Sequence, residues 1–182
     1  MKKKFIGVIG IVIVVIVGGI YYLTREEKIE LSLKNKKEIL VEYGNTVQYS
    51  FDDLIQTKDI DKDKLKEIKK ETKITDNLKN EDQKDYPAIG NYTINIKYQD
   101  QKLKKKVIVK DTTAPVFNEI NEVSFDEGTE NYDFNQEIKA IDLSNIDLQY
   151  DLSSLDINKA GDYQIKVFAK DSSGNQAEKE IT

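Results

Sequence analysis

The side chains that could do chemistry in this sequence are carboxylates, because two of the usual reactive residue types are missing. The 182 residues include 33 Asp and Glu but no His and no Cys. His is the commonest general base and transition-metal ligand, and Cys supplies thiolates and disulfides. No Gly-x-Ser-x-Gly, phosphate-loop or Ser-x-x-Lys motif accompanies the carboxylates. The sequence therefore predicts a protein that is not an enzyme and that has no cofactor.

Two predicted turns are rich in oxygen atoms that could bind a cation. One holds Asp142, Ser144, Asn145 and Asp147, and the other holds Asp171, Ser173 and Asn175. Such clusters can bind Ca²⁺, although the spacing of an EF-hand is absent. The same residue types cap turns by accepting hydrogen bonds from their own backbone, and we favour that structural role. We therefore predict no metal site; the candidates, if one exists, are Asp142, Asp147, Asp171 and Asn175.

The second of these turns belongs to a pattern that occurs twice in the chain. Residues 87–100, PAIGNYTINIKYQD, match residues 158–171, NKAGDYQIKVFAKD, so that Gly90 and Tyr92 correspond to Gly161 and Tyr163. After each Gly, apolar and polar residues alternate with a period of two, as in a strand with one buried face. We interpret the match as an internal duplication.

Short apolar runs separated by turn residues continue this pattern along most of the chain. They occupy residues 29–33, 38–41, 107–109, 116–117, 122–125, 138–141 and 148–150. Many short strands and few helices predict antiparallel β-sandwiches, one at 29–110 and one at 116–182. The first copy is longer by a charged segment, about residues 58–84, with sparse Ile60, Leu65 and Ile68. We expect a short exposed helix or a mobile loop there, and a partner-binding loop is the alternative.

The N-terminus has the composition of a membrane anchor. Residues 5–23 are apolar, Gly or Tyr without interruption, and 19 residues at roughly 1.5 Å each span one hydrocarbon core as a helix. Lys2, Lys3 and Lys4 precede this run, which places residues 1–4 in the cytoplasm and everything after Leu23, beginning with the juxtamembrane residues 24–28, outside. The alternative is a signal peptide cleaved before Ile20.

The predicted outer part of the chain is acidic. Three of the 28 Lys and Arg precede the apolar run, so 25 basic residues face 33 acidic ones, a net charge of −8. Such a surface repels phosphate backbones, and we predict no nucleic-acid partner. The cluster of Lys104, Lys105 and Lys106 could still form a local basic patch, although a solvated strand face is the simpler interpretation.

The junction between the copies, DTTAPVF at residues 111–117, resembles the linker between bacterial surface immunoglobulin-like repeats. The second copy also resembles that family in its DEGTENYDF segment and in GDYQIKVFAKDSSGN at 161–175. The resemblance covers nearly all of 116–182 and, more loosely, 29–110. It implies tandem immunoglobulin-like sandwiches outside the cell, without catalysis of their own, and it names no ligand.

The motif residues fit structural roles: Gly90, Tyr92, Pro115, Gly161, Tyr163, Asp171 and Gly174. We expect each motif Gly to take a positive φ where the chain enters its strand, and each Tyr to hydrogen-bond back across the corner. Pro115 fixes its own φ and holds Ala114 extended, so the linker 111–115 should be short and stiff.

Together these features predict an all-β, non-catalytic, single-pass surface protein: two immunoglobulin-like sandwiches after one N-terminal transmembrane helix. They would serve as a stalk or as an adhesion module for other proteins or for cell-wall or host glycans. Two alternatives stay open. The chain could be an accessory subunit that docks a membrane or cell-wall enzyme through residues 58–84, or the anchored stalk of a longer surface hydrolase. The sequence predicts no oligomeric state.

Overall fold

A computed structural model describes residues 11–16, 19–24 and 29–182, and the chain is mostly β. Near the N-terminus, β1 (Ile11–Ile16) and β2 (Gly19–Thr24) pair antiparallel. The predicted helix at 5–23 lies partly outside the described residues, and where it is described the backbone is extended. β-Branched Ile and Val fill β1, and these residues favour strands. No described helix is both long and apolar enough to cross a membrane.

Residues 29–110, which we call the first module, contain a four-stranded sheet and two helices. The elements are β3 (Ile39–Glu42), α1 (Phe51–Leu54), α2 (Lys62–Glu71), β4 (Lys73–Asp76), β5 (Gly90–Tyr98) and β6 (Gln101–Lys110). The sheet order is β3-β6-β5-β4, and β3 pairs parallel with β6 whereas the other pairs are antiparallel. The period-two pattern of β5 buries Ile94 and Ile96 on one face and exposes Asn95 and Lys97 on the other.

Residues 116–182, the second module, form smaller sheets. The elements are β7 (Val116–Phe117), a 3₁₀ helix (Phe134–Gln136), β8 (Ala140–Ile141), β9 (Ile146–Asp151), β10 (Ile165–Asp171) and β11 (Gln176–Ile181). β7 pairs with β8, and the other sheet has the order β11-β10-β9 with antiparallel pairing. β10 buries Ile165, Val167 and Ala169, and the prediction of a strand with one buried face holds there.

Each module has its own apolar core. In the first, the fully buried side chains include Leu54, Ile68, Ile94 and Val107; in the second, they include Ile138, Val167 and Ile181. Burial of this apolar surface is the main favourable term in folding. The mostly β architecture is consistent with the predicted β-sandwich class.

Several segments differ from their predicted form. Residues 29–33 and 122–125 are not strands, although Leu33 forms an isolated bridge with Ile55. The charged segment 58–84 is only partly solvated: α2 lies within it, begins at the Asp61 cap and buries Ile68. β4 also lies within it and pairs with β5. Leu65 and Ile68 are three residues apart and therefore lie on the same face of α2, which packs toward the core. Part of this charged segment thus belongs to the core of the first module.

Candidate functional site at the junction of the two modules

The linker is hydrogen-bonded to the end of β3. The Glu42 carboxylate accepts from the backbone N–H of Thr112 at 2.7 Å and from the Thr112 hydroxyl at 2.6 Å, and it also accepts from the Thr113 hydroxyl at 2.9 Å. The bonds from Thr112, and then those from Thr113, outweigh burial and hold the pKa of Glu42 below its usual value. Glu42 therefore fixes the start of the linker to the first module.

Three carboxylates converge where the linker meets the second module. Asp111, Asp142 and Asp171 each place an oxygen within 4.8 Å of the others. Asp111 and Asp142 are half-buried, and Asp171 is buried. These residues come from three separate segments: the linker, the turn before β9 and the end of β10. We call this set the acidic junction.

Hydrogen bonds from both turns fill the acidic junction. Asp142 accepts from the backbone N–H of Ser144 at 2.8 Å, and the Ser144 hydroxyl donates to the Asp111 carboxylate. The Asn175 side-chain amide donates to Asp171 at 2.7 Å and to the backbone carbonyl of Asp111 at 3.2 Å. The linker is thus held by the second module as well as by the first.

Asp171 accepts more hydrogen bonds than either of the other two carboxylates. It accepts from the backbone N–H groups of Ser173 at 2.9 Å and Asn175 at 2.8 Å, besides the Asn175 amide. Burial raises the pKa of Asp171, but the hydrogen bonds from Asn175 and the following turn outweigh it, so the pKa lies below its usual value. An ionised carboxylate with its acceptor sites occupied caps a turn and is poorly placed for general acid or base work.

The sequence candidates for a metal site separate in the structure. Asp142 and Asp171 meet, whereas Asp147 is exposed on β9 and accepts from the Gln149 side chain at 2.9 Å. Asn175 lies at the cluster but presents its amide nitrogen as a donor. Carboxylate oxygens are ligands that suit Ca²⁺. Asp111, Asp142 and Asp171 are the residues that lie close enough together to bind the same ion.

Asp111 and Glu42 were not among the predicted site residues. The only signal for Asp111 is its place at the start of the DTTAP linker motif, and Glu42 belongs to none of the motifs described above. Ser144 and Asn175 lie 33 and 64 positions from Asp111. Contacts this distant in sequence depend on how the modules fold and dock, which local pattern does not reveal.

The two motif tyrosines make the same hydrogen bond. Tyr92 Oη donates to the Ala88 carbonyl at 2.7 Å, and Tyr163 Oη donates to the Lys159 carbonyl at 2.9 Å, four residues upstream in both cases. A Cβ on Gly90 would lie 3.4 Å from the Tyr92 ring, and one on Gly161 would lie 3.6 Å from the Tyr163 ring. Each ring therefore packs over the motif Gly that precedes it.

The expected positive φ at Gly90 and Gly161 is wrong. Among the glycines that the structure describes, positive φ values occur instead at Gly44, Gly128 and Gly174. Gly90 already belongs to β5, so its backbone is that of a strand, and the ring contact accounts for a small residue there. Gly174, at φ 96°, closes the turn that follows Asp171, where a left-handed conformation favours Gly. Pro115 is buried at the end of the linker.

The cluster of Lys104, Lys105 and Lys106 is neither a fully solvated strand face nor a basic patch of three residues. Lys104 and Lys106 are exposed, but Lys105 is 6% exposed, and its Nζ donates to the backbone carbonyls of Asn35, at 2.6 Å, and Lys37. Alternation along β6 puts position 105 on the inner face. Two carbonyl oxygens thus accept hydrogen bonds from the buried ammonium group and partly compensate for its charge.

The fold and the junction define a mostly β, sandwich-like protein with two cores and a linker held from both sides. No protein-family model matches the chain, and no curated protein shows significant similarity to it. The likeness to immunoglobulin-like repeats therefore stays a prediction from sequence motifs.

Proposed function

We propose that this chain is a non-catalytic, single-pass membrane protein of the bacterial surface, in which two immunoglobulin-like sandwiches form a stalk or an adhesion module. The observation that carries the proposal is the doubly held linker. Glu42 binds Thr112 from one side, and Ser144 and Asn175 bind Asp111 from the other. A stalk needs a junction that resists bending, and hydrogen bonds from both modules supply that resistance.

The membrane anchor in this proposal is the apolar run 5–23 with its three preceding lysines. A bilayer offers no water to the backbone, so unpaired N–H and C=O groups are costly there. The outer edges of the β1–β2 pair would leave such groups exposed to lipid, whereas a helix satisfies them internally. We therefore propose that the run is helical in the membrane and that 29–182 lies outside the cell.

Topology gives the test of this proposal. Whole cells that express the chain are treated with a membrane-impermeant amine reagent, and lysines of 29–182 should be labelled. A matched variant with Lys2, Lys3 and Lys4 each changed to Glu should lose this labelling, because basic residues before the span set its orientation. Absence of labelling in the parent chain, with labelling after cell lysis, would contradict surface exposure.

One observation favours the accessory-subunit alternative. α2 exposes Lys62, Lys66 and Lys70, which are spaced four residues apart and therefore share a face of the helix. This basic face stands out on an acidic exterior and could dock an acidic protein surface. Deleting 58–84 would remove β4 and the core residue Ile68, so the better test is the pair K66E and K70E. Loss of a co-purifying envelope protein, with unchanged circular dichroism, would favour docking over a plain stalk.

A further inference from the structure

The outer face of the first-module sheet carries lysines and no acidic residue on three adjacent strands. Alternate residues of a strand point to opposite sides of the sheet. The register of β4, β5 and β6 turns these exposed residues to the same outward side: Lys73, Lys97, Lys102, Lys104 and Lys106. The remaining outward positions of the three strands hold Thr, Asn, Ile108 and Lys110. We call the five exposed lysines the lysine face.

Three of these lysines lie in one row across the sheet. Lys97 of β5 is directly opposite Lys73 of β4 on one side and Lys102 of β6 on the other. Side chains that are directly opposite start about 5 Å apart, and like charges in such pairs destabilise a sheet. In the described part of the chain, none of the five ammonium groups has a hydrogen bond or an ion pair. The protein itself therefore leaves this concentration of positive charge uncompensated.

The corresponding sheet of the second module is balanced in charge. When β5 and β6 are aligned with β10 and β11 through the motif glycines and the strand pairing, Glu178 stands in the place of Lys102. Glu180 likewise stands in the place of Lys104. Both carboxylates contact the Lys166 ammonium, at 3.1 Å and 3.9 Å. A sheet of this architecture does not require a row of like charges, so the lysine face is a property of the first module alone.

The row of three lysines lies at the end of the first module that follows the apolar run. The Gln101 side chain, next to Lys102, donates to the Ile29 carbonyl at 2.5 Å and accepts from the Leu31 N–H at 2.7 Å. Residues 24–28 separate Ile29 from Leu23, the last residue of the apolar run. This length of chain reaches at most about 20 Å. A bilayer that holds the run would thus have its headgroups near Lys102.

We propose that the lysine face docks on anionic lipid headgroups of the membrane that holds the apolar run. Docking of this kind depends on the proposed function and adds that the first module lies against the bilayer. Lysine binds phosphate groups as a point charge, and each lysine near an anionic membrane adds to the attraction. The acidic side chains elsewhere oppose it little, because salt screens charges separated by more than roughly 10 Å.

The test uses the full chain in lipid nanodiscs, with a fluorophore on a single introduced cysteine. The chain has no Cys of its own, so the variant T75C is labelled at one position. Thr75 is exposed on β4 and faces outward beside the lysine face. Some of the lipids carry a nitroxide on the headgroup, which quenches fluorophores at short range.

Quenching at position 75 should depend on lipid charge. We expect it in discs with about 30% phosphatidylglycerol, and little of it in discs of phosphatidylcholine alone. It should also decline as salt rises toward about 1 M, where the screening length is only about 3 Å. The variant Q149C is the matched control, because Gln149 is exposed on the edge strand β9 of the second module. We expect little quenching there in either kind of disc.

A charge reversal separates docking from folding. K97E places a carboxylate between Lys73 and Lys102, so repulsion becomes attraction and the thermal midpoint without lipid should not fall. The ratio of docked to undocked chain should nevertheless fall at least about fivefold, the usual effect of losing one lysine at an anionic surface. K66E makes the same change of charge on α2, whose Ile68 packs into the core on the inner side of the sheet. It should leave the quenching unchanged.

Elution of the chain with each kind of disc reports the anchor separately from the docking. Elution with both kinds, without charge-dependent quenching at position 75, would refute the docking and leave the anchor intact. Elution with anionic discs only, with quenching, would refute the anchor and support the docking. Equal losses in K66E and K97E would overturn the proposal, because net charge and not this face would then control the approach. A fluorescence change at position 75 with soluble polyphosphate, but no quenching in anionic discs, would assign the face to a soluble polyanion instead.

Discussion

Leu143 of the second module lies directly over Gly44 of the first. A Cβ atom placed on Gly44 would come within 2.4 Å of the Cδ1 atom of Leu143, closer than real side chains approach. Gly44 also has a φ of 89°, a conformation that L-residues with a side chain rarely adopt. The turn after β3 therefore combines a backbone requirement for Gly with a contact between the modules, beside the linker that Glu42 holds.

Comparing G44A with G128A separates these two effects. Both glycines have positive φ, but a Cβ on Gly128 would meet nothing within 4 Å. We expect each variant to lower the free energy of unfolding by about 1–2 kcal/mol through backbone strain. G44A alone should also shift the NMR signals of the Leu143 methyl groups and of the linker amides. Unchanged linker signals in G44A, or equal changes in G128A, would show that the contact does not couple the modules.

Acid should loosen the junction through Asp171 and Glu42. The pKa of each lies below its ordinary value in the folded chain. A lowered pKa means that the ionised form stabilises the folded state; this contribution is complete above the ordinary pKa and is lost as pH falls through the folded value. Thermal midpoints should therefore be flat near neutral pH and fall below about pH 4.

The variants D171N and E42Q test the assignment of this acid response. Neither Asn nor Gln titrates, so each variant should be less stable at pH 7 and should show a weaker decline toward low pH than the parent chain. A decline as steep as that of the parent would place the acid-sensitive groups elsewhere.

Calcium should have little effect on the junction. The acceptor oxygens of Asp142 and Asp171 are bound to turn donors, and Asp111 receives the Ser144 hydroxyl. A weak calcium site of the extracellular kind fills at millimolar calcium, so about 5 mM Ca²⁺ is enough to detect one. We expect this concentration of Ca²⁺, or of EDTA, to shift the thermal midpoint by less than about 1 °C. A saturable rise that D111N abolishes would instead establish these carboxylates as a calcium site.

Local pattern predicted the elements whose period is regular. β5 and β10 follow the alternation after Gly90 and Gly161, and both contribute fully buried side chains, Ile94 in the first module and Val167 in the second. Segments with many charged residues are harder to predict. β4, KITD, lies in the segment 58–84, where the sequence predicts a short exposed helix or a mobile loop, because a strand of four residues among Lys and Asp has little periodicity of its own. Its pairing with β5 places it in the sheet, although only Ile74 is partly buried.

The acidic junction could not be predicted because its contacts join residues that are far apart in the sequence. The position of Asp111 depends on two turns far along the chain, and that of Lys105 depends on carbonyl oxygens about 70 positions upstream. Lys105 occupies an inward position of β6, opposite Ile94, where an apolar residue is expected. The corresponding position in the second module, opposite Ile165, holds the apolar residue Ile181. Only the three-dimensional arrangement shows that carbonyl acceptors compensate for the charge of Lys105.

The two motif tyrosines give a matched comparison of the same hydrogen bond in different surroundings. Tyr92 is 9% exposed beneath β6 and donates to Ala88, whereas Tyr163 is half-buried and donates to Lys159. In Y92F the Ala88 carbonyl loses its donor where water has poor access, and we expect a loss of about 1 kcal/mol, or up to about 3 kcal/mol if no water replaces the hydroxyl. In Y163F water can replace the hydroxyl, so the loss should be below about 0.5 kcal/mol. Denaturant unfolding of both variants measures the difference, and equal losses would mean that Tyr163 is shielded from water as fully as Tyr92.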